Sequence, residues 1–255
     1  QLAFAAGIEA LRDAGIPLVQ SWRKTSAGKP APDGWKLPAS MRDRTGIIFA
    51  SAFPGYTNFA EHIRRDGDDG EGRFDRRFLF QVLSMGHCQF AQHIGARGPN
   101  TQVNAACAST TQAIAMGHDW IRQGRADRVV VIGADDVTNE SMLEWIGSGF
   151  LAAGAATTAG EVSEGALPFD RRRHGMILGM GAAGMVLEKE EDVLSRGQRP
   201  LARLIATKLA NSAFHGTRLD PKHIADQLRE LVGEAVEAVG TSREAFAKQC
   251  LFVSH

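Results

Sequence analysis

The chain has 255 residues, 44% of them hydrophobic and 23% charged, a balance that supports a sizeable buried core and excludes wholesale disorder. With 29 Lys plus Arg against 29 Asp plus Glu, no net charge draws the surface to nucleic acid or anionic lipid. The three cysteines, Cys88, Cys107 and Cys250, form an odd set without a CxxC pair, which argues against a disulfide framework or a thiolate zinc site and fits a reducing, cytoplasmic setting. No apolar run approaches the roughly 20 residues of a membrane-spanning helix, and no basic-then-apolar leader opens the chain. Residue 1 is Gln and a helical pattern is already running at Leu2, so the chain is expected to begin inside a domain, with further sequence upstream.

In chain order, Leu2, Ala5, Ala6, Ile8 and Leu11 mark one helical face, stopped by Gly15. Residues 21–40 hold three prolines and two glycines without periodicity and read as an exposed inserted loop. Thr45–Ala50 (TGIIFA) is a β-branched run suited to a strand covered on both faces. Residues 64–77 alternate in charge and read as a solvated loop. Next come a strand at Gln102–Asn104, a tight junction at Ala105–Ser109, a helix at Thr110–Gln123 and a buried strand at Arg128–Ala134. Strand, helix and strand within about thirty residues predict a right-handed βαβ unit in a parallel sheet, hence an α/β fold.

Further along, Asn139–Ile146 reads as helix and Ala152–Ala166 as a small-residue segment lying close over other backbone. Strands are expected at Gly179–Glu188, Leu201–Ala210 and Leu251–Val253, with helices at Glu190–Arg196 and Pro221–Val239. The glycines at 179, 181 and 184 do not open a helix in a nucleotide-binding unit, and they read as sites of close strand approach. No metal-ligand cluster is visible.

Cys107 stands between a predicted strand and a predicted helix. At a helix N-terminus the positive end of the backbone dipole and unsatisfied amides favour the anionic, nucleophilic form of sulfur. Ala105, Ala106 and Ala108 leave room for an acyl group, and Ser109 or Thr110 is placed to cap the helix. Composition alone reads the same thiol as a small buried residue in a turn.

The blocks NAACAST, GRADRVVVIGADD and LPFDRRRHGMILGMGAAGMVLE, in this order and spacing, resemble the beta-ketoacyl synthases of the thiolase-like superfamily. Leu2–Leu18 resembles that family's first long helix, Gly86-His87 with GARGPN the segment before the nucleophile, and Leu251–His255 the strand leading into the first catalytic histidine. The resemblance implies a layered αβαβα fold. Residues 1–200 would form a nearly complete N-terminal thiolase-like half that carries the nucleophile, and residues 201–255 the start of the C-terminal half. It further implies decarboxylative Claisen condensation in fatty-acid or polyketide synthesis. Cys107 takes an acyl group from the phosphopantetheine thioester of an acyl carrier protein, and His255 is the first of two imidazole donors to the malonyl thioester oxygen.

In the same resemblance Phe150 lines the acyl pocket, Phe53 lies near the gate segment and His215 near the substrate entrance, although both phenylalanines read equally as core. His87 takes an orienting role, and His93 and His118 are structural. No cofactor is bound to the chain itself. A homodimer or heterodimer is expected through the strand 102–104, with residues 51–55 near the subunit boundary. A complete ketosynthase continues past the position of His255 to a lysine and a second histidine, which a companion segment would supply. Arg172, His174 and Met180 replace residues that are often acidic in the family. The alternatives are a noncatalytic chain-length or scaffold subunit that binds acyl chains, and a cysteine-dependent acyltransferase or thioesterase.

Overall fold

The computed structural model describes residues 1–69, 79, 85–214 and 218–253. The chain divides into two compact units, Gln1–Asp192 and Val193–His255.

The first unit opens with α1 (Leu2–Asp13), after which Gly15, at φ 62°, turns the chain. The expected loop at 21–40 is instead an antiparallel hairpin, β1 (Val19–Lys24) with β2 (Pro30–Lys36), followed by the short α2 (Ala39–Arg42). Its prolines misled the reading. Pro30 and Pro32 lie in a two-stranded sheet, where every strand is an edge and a missing N–H is tolerated. Gly28, at φ 76°, makes the reversal.

β3 (Thr45–Ala50) is buried along its whole length, as the β-branched run predicts. α3 (Tyr56–Asp69) carries helix through residues 64–69, which the charge pattern had given to a loop. Alternating charges serve a helix as well as a loop, and residues 70–77 lie outside those described. α4 (Gly86–Ile94), β4 (Asn100–Val103), α5 (Ser109–Arg122), β5 (Arg128–Asp136), α6 (Glu140–Ala152), α7 (Val162–Gly165), β6 (Met180–Glu188) and α8 (Glu190–Ser195) follow.

The sheet order is β4-β3-β5-β6. β3 pairs in parallel with β4 and with β5, so the predicted βαβ unit spans an intervening strand. β6 runs antiparallel to β5, from Asp136 opposite Met180 to Arg128 opposite Glu188, which makes the sheet mixed rather than purely parallel.

Alternation along the strands builds two cores. Ile47, Phe49, Val130 and Ile132 pack with Leu11 of α1 and with Phe90 and Ile94 of α4 on one face. Ile48, Ala50, Val129 and Val131 pack with Ala113 of α5 on the other. At about 1.5–3 kcal/mol for each fully buried large apolar side chain, these two layers are what fix the strand order. Gly184 lets α1 lie directly on β6, since a Cβ there would meet the Ala6 carbonyl oxygen at 2.3 Å. Gly179 and Gly181 have no atom within 4 Å of an added Cβ, so the close approach expected of all three belongs to one, and it is to a helix. The small-residue segment does lie against other backbone: a Cβ on Gly175 would sit 2.3 Å from the Ala156 carbonyl carbon.

In the second unit, α9 (Pro221–Val239) has the predicted bounds. The Asp220 side chain accepts from the Lys222 and His223 amides at its start, and Gly240, at φ 70°, ends it. α10 (Arg243–Gln249), which the sequence reading had not marked, is capped by Ser242. The predicted strands at 201–210 and 251–253 have no regular structure, because a β-prone run becomes a strand only with a ladder partner and none lies among the described residues. Among the described residues no helix is long and apolar enough to cross a membrane.

Candidate active site

Because β3, β4 and β5 are parallel, their carboxyl ends lie along one edge of the sheet, and antiparallel β6 starts there. Such an edge is where α/β proteins collect their reactive groups. Two connections emerge side by side: residues 51–55 after β3, and residues 104–108 between β4 and α5.

The second connection bears Cys107. Ala106 has φ 49°, in the left-handed region that costs a non-glycine residue about 1–2 kcal/mol. Its backbone is held on both sides. Asn104 Oδ1 accepts the Ala106 N–H at 3.1 Å, while Ser109 Oγ, at 2.6 Å, and the Ser109 N–H, at 3.1 Å, both donate to the Ala106 carbonyl. Ser109 Oγ also accepts the Ala105 N–H at 2.8 Å. With each such bond worth about 0.5–1.5 kcal/mol net, the set offsets the strain. Ser109 therefore braces the turn rather than capping α5, whose N-cap is Ala108 with no side-chain cap. Thr110 takes no capping role either; its Oγ1 sits over Gly133, where a Cβ would come within 2.5 Å.

Cys107, two residues before α5, is exposed to solvent. The first turn of α5, which follows the Cys107 turn directly, carries no acidic residue. A reachable sulfur in this place can attack an electrophilic carbonyl and hold an acyl group.

The first connection is tied to the same turn. The Asp135 carboxylate of β5 accepts from Ser51 Oγ at 2.7 Å, from the Ala52 N–H at 2.9 Å and from the Phe53 N–H at 3.0 Å. Asn104 Nδ2 then donates to the Ala52 carbonyl at 3.0 Å. Phe53, half-buried, meets Tyr56 at a ring-centroid distance of 6.5 Å. Phe53 and Cys107 are thus on adjoining hydrogen-bonded segments. Phe150 is half-buried on α6, its carbonyl accepting from the Ala155 and Ala156 amides, and among the described hydrogen bonds none joins it to the Cys107 turn. His215 and His255 lie outside the described residues.

His93 rests edge-on against Phe4, at 5.7 Å. Burial, with Arg122 nearby, holds the His118 imidazole below its ordinary range. His87 is half-buried on α4. Arg172 closes a fork on Asp170, with side-chain bonds of 3.1 and 2.9 Å and a backbone bond of 2.8 Å, and these bonds keep the Asp170 carboxyl below the usual range. His174 Nδ1 lies 3.4 Å from Thr157 Oγ1, and Met180 is exposed at the start of β6. Among the described residues no group of three or more His, Cys, Asp or Glu is arranged to hold a metal ion. Asn104 and Asp135 both lay inside quoted blocks, but nothing in one sequence marked the Asn104 amide or the Asp135 carboxylate as ties between two loops.

A family model described as "Beta-ketoacyl synthase, N-terminal domain" matches residues 1–193. The chain belongs to this family. It is 27% identical over 226 residues to 3-oxoacyl-[acyl-carrier-protein] synthase I, chloroplastic, of Arabidopsis thaliana, covering 86% of this chain and 46% of the relative. It is 26% identical over 181 residues to 3-oxoacyl-[acyl-carrier-protein] synthase 2 of Staphylococcus aureus, covering 71% of this chain and 44% of the relative. The chain therefore spans less than half the length of these curated relatives.

Among solved structures it is similar to the ishigamide ketosynthase/chain length factor, with a TM-score of 0.69 and 24% identity over 95% of this chain and 53% of that one. It is also similar to a chain of the structure described as "type II PKS acyl-carrier protein in complex with its ketosynthase bound to the hexaketide", with a TM-score of 0.73 and 22% identity over 95% and 55% of the two chains. A beta-ketoacyl synthase from Burkholderia phymatum gives a TM-score of 0.67 and 20% identity over 91% and 52%. The fold is the thiolase-like ketosynthase fold, represented by its N-terminal half.

Proposed function

We propose that this beta-ketoacyl synthase domain supplies the nucleophile for decarboxylative Claisen condensation on carrier-bound substrates, in fatty-acid or polyketide synthesis. One observation carries the reading: an exposed Cys107 on a strained, doubly anchored strand-to-helix turn, in a chain of this family.

In this reading Cys107 Sγ attacks the carbonyl of an acyl thioester held on the phosphopantetheine of an acyl carrier protein. The carrier thiol leaves, and the acyl group stays on sulfur. A malonyl thioester then loses carbon dioxide, and the carbanion equivalent attacks the acyl-cysteine carbonyl. A carrier-bound 3-ketoacyl product departs and the Cys107 thiolate is restored, so that one difficult carbon-carbon bond formation is divided between two steps. His255 donates to the malonyl thioester oxygen as negative charge develops there. Phe53 and Phe150 line the acyl path, and His215 lies toward the entrance.

Residues 201–255 open the second thiolase-like half. The assembly is a dimer through the strand at β4. Its setting is the cytoplasm, where the three free thiols stay reduced.

The test is incubation of the protein carrying this sequence with acyl- and malonyl-carrier thioesters. Formation of 3-ketoacyl product supports the proposal. Release of free acid would make it a hydrolase, and retention of an unmodified acyl chain would make it a scaffold.

A further inference from the structure

Two side chains near Cys107 have no part in the chemistry proposed above. Asp135 gathers three donors from three successive residues, 51–53, onto one carboxylate. That clasp fixes the loop after β3, whose Ala52 carbonyl accepts from Asn104. Asn104 spans two segments with both ends of its amide, its Nδ2 donating to Ala52 and its Oδ1 accepting from the Ala106 N–H. The amide donates from one end and accepts at the other, which the isosteric carboxylate of an aspartate could not do, since it only accepts. Ala106 is the left-handed residue immediately before the thiol, so its backbone direction sets where Cys107 points.

We infer that Asn104 and Asp135 are positioning residues that lock the Phe53 loop and the Cys107 turn into one hydrogen-bonded unit and thereby fix the direction of the Cys107 thiol. The inference rests on the reading of Cys107 as the nucleophile. It adds to that reading that the thiol is aimed from the neighbouring strand loop, through the Ala106 peptide, as well as by its own helix. Asp135 orders residues 51–53, residue 52 holds Asn104, and Asn104 holds Ala106 in a conformation that alanine would otherwise leave.

The test measures alkylation of Cys107 by iodoacetamide across a pH series, with Cys88 and Cys250 of the same chain as internal references and circular dichroism as the check on folding. Asn104→Ala is expected to slow Cys107 alkylation about tenfold relative to Cys250, because a small misplacement of a reacting atom costs rate steeply. Ala106→Gly in the Asn104→Ala background is expected to restore the parent rate to within about twofold, because glycine adopts the left-handed conformation without the Asn104 tie. Merely structural damage would not be repaired by a glycine.

Rates in Asn104→Ala that stay within about twofold of the parent at every pH, or a loss that Ala106→Gly leaves unrepaired, would overturn the inference. Should Asn104→Ala fail to fold, Asp135→Asn decides by the same readout. It removes acceptor capacity toward residues 51–53 and leaves the Asn104 to Ala106 bond in place, so slower alkylation supports the inference and an unchanged rate overturns it. No carrier or malonyl substrate enters this experiment, so a failed condensation assay would sink the proposed activity and leave this comparison standing.

Discussion

Gly133 of β5 and Thr110 of α5 touch so closely that a Cβ on the glycine would lie 2.5 Å from Thr110 Oγ1. The contact sets how near the first turn of α5, and with it the Cys107 turn, sits to the sheet. Gly133→Ala is expected to cost about 1–3 kcal/mol by overpacking, read as a lower urea midpoint, and an unchanged midpoint would contradict this account of the contact.

Gly184 makes the stricter demand. The atom in the way of a Cβ is the Ala6 carbonyl oxygen, at 2.3 Å, and helix backbone cannot swing aside as a threonine side chain can. Gly184→Ala is therefore expected to lower the urea midpoint more than Gly133→Ala does. Gly181→Ala, with no atom within 4 Å of the added carbon, should stay within about 0.5 kcal/mol of the parent. Equal losses at 181 and 184 would show that close packing of α1 is not the cause.

Arg128 and Glu188 face each other across β5 and β6, 2.9 Å apart, with side chains 7% and 3% exposed. Arg128 also donates to Thr45 Oγ1 at 3.3 Å. Glu188→Ala leaves a buried guanidinium without its carboxylate, an effect of about 3–5 kcal/mol, whereas Arg128→Met with Glu188→Leu should recover most of the loss. Denaturant titration of the single and double variants separates the two outcomes.

At the same end of the sheet, Arg44 forks onto Asp127 at 3.2 and 2.9 Å and holds its carboxyl below the ordinary range. A carboxylate whose folded value is depressed contributes its stability above the unfolded value, about 3.9, and loses it as pH falls through the lower folded value. Asp127→Asn is expected to flatten this acid limb of the stability curve. Urea unfolding of both chains from neutral pH downward provides the check, and parallel curves would remove Asp127 from the account.

Much of this framework was legible in the sequence where one physical rule acts alone. The helix 221–239 was read from its amphipathic pattern and β3 from an apolar β-branched run between turns, and both formed as read. Legibility failed where the deciding partner is distant. Val19–Lys36 forms a hairpin despite its prolines because both strands are edges, and the run 201–210 finds no ladder partner among the described residues. At the site, Cys107 stood out by its place between strand and helix. The left-handed Ala106 did not, since nothing about an alanine announces positive φ, and Asp135 finds its donors more than eighty residues away in the chain.

The most direct measurement is the intact mass of the protein carrying this sequence after exposure to an acyl-carrier thioester, followed by mapping of the modified peptide. The account predicts one acyl group, located on Cys107 and lost in Cys107→Ala. Equal acylation of the Cys107→Ala protein, or a label confined to Cys88 or Cys250, would contradict it.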